Sequence, residues 1–84
     1  QKTKQGQIYY ETKIHWNGDL LVGRYENEIE AAIAYNKAAS TLLRKGYLKD
    51  YPVNYIEELS DSEYRSRYQV VDISDKIKVL KSLL

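Results

Sequence analysis

The sequence predicts an α+β fold: a small antiparallel sheet packed on one helix and followed by a helical C-terminal tail. Three stretches carry that expectation. "IYYETKIHW", residues 8–16, alternates apolar and polar side chains with the two-residue period of a half-buried strand. Asn17-Gly18 follows it and is the strongest short hairpin signal, because both central residues of a type I′ turn need positive φ. "NEIEAAIAYNKAAS", residues 27–40, opens on a helix cap and holds five alanines.

In chain order, residues 1–7 are polar and read as an arm. The strand that follows places Ile8, Tyr10, Thr12, Ile14 and Trp16 toward a core, with Tyr9, Glu11, Lys13 and His15 on the opposite face. The returning strand, "DLLVGRY", directs Leu20 and Val22 inward and Asp19, Leu21 and Gly23 outward, which leaves Leu21 apolar on a wet face. Asn27 is a good N-cap, Glu30 stands where a capping box needs it, and Glu28 and Glu30 suit the positive end of the helix dipole. Arg44 and Lys45 suit the other end, and Gly46 is placed as the C′ residue. At helical spacing Ile29, Ala32, Ile33, Asn36, Ala39 and Leu43 form a buried stripe. Its small residues let the helix backbone approach a sheet whose bulk comes from Tyr10, Ile14, Leu20 and Val22.

Beyond the helix, Val53, Tyr55 and Ile56 around Pro52 are expected to plug the open edge of the core. Ser60 with Glu63 repeats the capping-box pattern and starts a short helix running to about Tyr68. In "ISDKIKVLKSLL", Ser74 is a candidate N-cap and Ile73, Ile77, Leu80 and Leu84 recur at helical spacing. The expected organisation is a core domain over residues 1–59 and a helical extension over 60–84. That extension folds back as one or two helices onto the domain or onto a second copy or partner protein, since so short a helix does not persist alone.

Composition narrows the function classes. Eighty-four residues make one domain with a thin core, burying little more than ~60% of the surface of the unfolded chain and leaving no room for a large cleft. No cysteine means no disulfide framework and no thiolate metal site, as in many intracellular proteins. No apolar run nears the ~18 residues of a membrane span and no stretch resembles a signal peptide, so a soluble chain without membrane partners is expected. With no methionine, it reads as a segment of a longer product. Thirteen Lys+Arg against twelve Asp+Glu give only +1, so polyanion binding needs local charge segregation. The first twenty-five residues have it mildly: Lys2, Lys4, Lys13 and Arg24 against Glu11 and Asp19.

Catalytic constellations are missing from the sequence. His15 is the single histidine, which excludes multi-histidine metal sites within the chain, and a lone strand histidine is ordinarily a polar surface residue. Glu28-Glu30, Glu57-Glu58 and Asp61-Glu63 cluster at helix starts, where carboxylates act as solvated caps. The four glycines are isolated and form no phosphate loop. The expectation is a non-enzyme without cofactor, metal or small-molecule substrate. The outer sheet face is more informative: Tyr9, Lys13, His15 and Leu21, with Gln7 and Arg24 nearby, carry the cationic, aromatic, amide and methyl groups that touch phosphates, base edges and thymine methyls. Such a mixture also occurs on any one-sided sheet.

Val22-Gly23-Arg24-Tyr25, then Glu30-Ala31-Ala32-Ile33-Ala34-Tyr35-Asn36-Lys37-Ala38-Ala39, then Asn54-Tyr55, resemble the AP2/ERF-type DNA-binding domain over about residues 7–56. The resemblance implies a three-stranded antiparallel sheet backed by one helix, with the far face of the sheet in the major groove of double-stranded DNA. It places strand contacts at Lys13, His15, Asp19 and Leu21, flanking core residues Ile14 and Leu20, and an arm contact near Gln7. Lys2 and Lys4 are what the chain offers of an arginine-rich first strand, and His15 and Asp19 stand where the family usually has arginine. The implied role is sequence-selective DNA binding within a transcription regulator, in the nucleus if the host is eukaryotic, or within a mobile-element protein of the cytoplasm or nucleoid. A protein-interaction module on the same scaffold is the alternative.

Overall fold

The computed structural model describes residues 9–15, 18–48 and 56–83. Their elements are β1 (Tyr10–His15), β2 (Asp19–Tyr25), α1 (Glu28–Arg44), α2 (Asp61–Val70) and α3 (Asp75–Lys78). β1 and β2 form an antiparallel hairpin packed on α1. Gly18, at φ 91°, supplies the left-handed turn residue. The expected third strand is not seen among the described residues. Residues 1–8, where it would fall, lie outside them, as do Trp16, Asn17, Val53 and Tyr55.

The hairpin departs from strict alternation at one point. Tyr10, Glu11 and Thr12 face Tyr25, Arg24 and Gly23, whereas Lys13, Ile14 and His15 face Leu21, Leu20 and Asp19. β2 thus carries one residue more than β1, and Val22 is a β-bulge with no partner across the ladder. Unbroken alternation from Leu20 and Val22 would turn Arg24 inward and Tyr25 outward. The bulge reverses this: Tyr25 is buried and Arg24 exposed.

Local signals fix α1. The Asn27 side chain accepts a hydrogen bond from the Glu30 amide at 2.8 Å. At the other end Gly46 has φ 91°, and the Tyr47 and Gly46 amides donate to the Leu42 and Leu43 carbonyls, which closes a Schellman cap. The buried face of α1 is Ile33, Ala34, Asn36, Ala38, Ala39, Thr41 and Leu42. Ile29, Ala32 and Leu43, expected in the stripe, are half-buried. The reason is that α1 is covered from two sides, by the sheet and by the tail, so its buried face is wider than a single stripe and turned toward the tail. The alanines do bring helix and sheet close: the Thr12 hydroxyl donates to the main-chain carbonyl of Ala31 at 2.9 Å.

The tail enters the same core. Val71, Ile73 and Ile77 join Ile14, Val22, Tyr25, Ile33, Leu42 and the α1 alanines in one buried cluster, with Ile56, Leu59, Tyr64, Tyr68 and Leu80 packed around it. α2 begins at a complete capping box in which Ser60 and Glu63 exchange hydrogen bonds. Ser74 caps α3, as its position suggests, but that helix is one turn long, not the longer amphipathic helix its spacing predicts. Lys45 accounts for the stop: its ammonium donates to the carbonyls of Ile77, Lys78 and Leu80, the last two at 2.8 and 2.6 Å. Lys37 does the same at the end of α2, bonding the Val71 carbonyl at 2.8 Å and lying over the Tyr68 ring. Both lysines sit where a helix dipole favours a cation.

Candidate nucleic-acid interface

On the side of the hairpin away from α1, three facing pairs present their side chains: Glu11 with Arg24, Lys13 with Leu21, and His15 with Asp19. Alternation along β1 puts Glu11, Lys13 and His15 on this side. On β2 the bulge brings Arg24, three residues from Leu21, onto the same side as Leu21 and Asp19. Lys13, His15, Asp19, Leu21 and Arg24 are all exposed. Tyr9 precedes β1 and is half-buried, while Lys2, Lys4 and Gln7 lie outside the described residues.

The charges on this face are largely paired. Arg24 Nε donates to Glu11 Oε2 at 3.0 Å, and His15 Nδ1 lies 3.3 Å from Asp19 Oδ1. Two cations, Lys13 and Arg24, meet two carboxylates, Glu11 and Asp19. Lys13 has no carboxylate partner among the described residues. The Arg24–Glu11 pair is lopsided, its side chains 62% and 16% exposed respectively. Glu11 therefore lies beneath a guanidinium that solvent reaches, and because the bond uses Nε, the two-pronged Nη edge is left for another partner. Glu11 holds Arg24 in one orientation. Sequence reasoning placed Glu11 on the correct face but gave it no role, although its two-residue spacing from Lys13 marks it as part of the same row.

Behind this face the bulged strand is held from the tail. The Ser74 amide donates to the carbonyl of Val22 at 2.9 Å, and the Tyr25 hydroxyl donates to the carbonyl of Asp72 at 2.6 Å. Burial, with the nearby carboxylates of Asp72 and Glu30, pushes the Tyr25 phenol up to about 12, so it keeps its proton and its donor role throughout the neutral range. The ring crosses Gly23 so closely that a Cβ there would come within 2.8 Å of Cζ and nearer still to the hydroxyl oxygen.

No group of three or more His, Cys, Asp or Glu side chains able to hold a metal occurs among the described residues, and no helix among them is long and apolar enough to cross a membrane. Compared with protein families, curated proteins and solved structures, the chain finds no match.

Proposed function

We propose that the outer face of the hairpin reads double-stranded DNA in the major groove, sequence-selectively, within a transcription regulator or a mobile-element protein. The observation that carries this reading is the arrangement of Arg24, Lys13 and Leu21 side by side on the solvent side of a two-stranded ribbon, with Arg24 oriented by Glu11. A ribbon of two strands fits a major groove about 12 Å wide. Arg24 offers its Nη edge to the O6 and N7 of a guanine, Lys13 neutralises a phosphate, and Leu21 meets a thymine methyl. In this reading Lys2, Lys4 and Gln7 add further contacts to the DNA backbone.

The test is a titration of selected and random duplexes at two salt concentrations. Affinity for the selected duplex should fall with salt by about 0.9 of a power per phosphate contact. Lys13→Ala should flatten that slope by about one while leaving sequence preference intact, and Arg24→Ala should relax preference at one base pair. The balanced charge of the face together with exposed Leu21 favours a second reading, a protein-interaction surface. No binding to any duplex at low salt would decide for it and against DNA.

A further inference from the structure

We infer that the tail decides which side chains of β2 reach the DNA-facing side, with Ser74 acting through its main-chain amide as a positioning residue for Arg24. The inference rests on the proposed reading of the outer face but can be tested without DNA. It begins from Val22, which the bulge leaves without a partner in β1. Val22 is only 1% exposed, so its main-chain carbonyl needs a donor, and the donor here is the Ser74 amide. Two residues earlier in the tail, the Asp72 carbonyl takes the Tyr25 hydroxyl and fixes the ring across Gly23 on the inner side. The tail thus grips β2 on both sides of Gly23, and both of its contacts are made by main-chain atoms. Ile73 lies between them in the core, 4% exposed, and anchors the grip.

These contacts act with the burial of Tyr25 and the Arg24–Glu11 pair to favour the extra residue over unbroken pairing, in which Val22 would face Thr12 and the later residues of β2 would exchange sides. Arg24 would then point toward α1, away from Glu11, and Tyr25 would take its place outside. The outer face would lose its one arginine to a register change made behind it. A segment outside the region of resemblance thus sets, from behind, which side chains the reading surface presents.

Ser74→Pro removes the amide donor; Ser74→Ala keeps it and removes only the cap on Lys76. NMR of the two variants should show the contact between the Tyr25 ring and Gly23, and the bonded Arg24 Hε, lost in Ser74→Pro and retained in Ser74→Ala. In duplex titrations Ser74→Pro should lose as many fold in affinity as Arg24→Ala, and Arg24→Ala should cost nothing further in the Ser74→Pro background. Should Ser74→Pro fail to fold, hydrogen exchange of the unmodified chain carries the same test, since the Ser74 amide must open together with the amides of Gly23 and Arg24. A Ser74→Pro variant that keeps both NMR signatures, or a Ser74 amide that exchanges far faster than those of β2, overturns the inference. A chain that ignores DNA yet loses the signatures in Ser74→Pro would refute the DNA reading and leave the control of β2 by the tail standing.

Discussion

Replacing Gly23 by alanine reverses the usual effect of that substitution. In a strand, Gly→Ala ordinarily stabilises by about 0.4–1 kcal/mol, because alanine has less freedom to lose on folding. Here the added Cβ would stand 2.8 Å from Cζ of Tyr25 and 3.2 Å from Cε2, with the hydroxyl oxygen closer still. The ring cannot simply swing aside, for it is 8% exposed and tied to the Asp72 carbonyl. Overpacking of this kind costs about 1–3 kcal/mol, and displacing the hydroxyl adds about 1 kcal/mol for the lost hydrogen bond. The expected net loss is about 1–3 kcal/mol, a large share of the ~4–13 kcal/mol that a chain of this length has. Urea unfolding should show it as a lower midpoint with unchanged slope. Tyr25→Leu supplies the control: once the ring no longer crosses residue 23, adding Gly23→Ala should be neutral or stabilising, a coupling that the double-mutant cycle isolates. Equal or greater stability of Gly23→Ala alone would refute the crossing of Tyr25 over Gly23 and, with it, the account of the bulge.

Ile77 is fully buried although its helix is a single turn, so Ile77→Ala should cost about 2–5 kcal/mol in thermal or urea unfolding; a change below the lower figure would mean that the tail is not part of the core. Ala39, also fully buried between α1 and its neighbours, should tolerate no added volume, and Ala39→Leu should cost about 1–3 kcal/mol. Tyr25 gives the fold an alkaline limit. Its phenol value is raised from 10.0 to about 12, so the folded state favours the protonated form, and the contribution is complete below pH 10 and lost between there and about pH 12. Tyr25→Phe should be less stable at neutral pH, yet lose less stability than the parent chain between pH 10 and 12, as monitored by circular dichroism.

What was legible in the sequence is what neighbouring residues decide. Asn27, Gly46 beyond the last turn, Ser60 with Glu63, and Ser74 each satisfy main-chain groups within a few positions, and each sits in the structure where its spacing puts it, although at Asn27 only its own half of the expected capping box forms. The alternation of β1 held for the same reason from Thr12 to His15, though Tyr10, expected inside, is 39% exposed at the strand end. The bulge was not legible, because the bonds that accompany it join Val22 to Ser74 and Tyr25 to Asp72, the latter 47 positions apart. Lys37 and Lys45 were equally opaque: Lys45 read as a cation completing the dipole of α1, whereas both lysines lie against carbonyl groups of the tail.

The candidate site combines both kinds of residue. Lys13, His15, Asp19 and Leu21 follow from alternation, but Arg24 is on their face only because β2 is one residue too long for its partner. That residue matters because the face has almost no surplus charge. A surface that matches two cations with two carboxylates gains little from counterion release, the main source of sequence-independent DNA affinity. Lys37 and Lys45 cannot make up the difference from where they are, since their ammonium groups are engaged with the tail. If the face reads DNA, its discrimination rests on a few oriented contacts, and orientation is what Glu11 supplies to Arg24 through Nε. Glu11 then lowers total charge while raising selectivity. Glu11→Ala should consequently strengthen binding to random duplexes and weaken preference for the selected one. A variant that gained equally on both would show that Glu11 contributes only its charge.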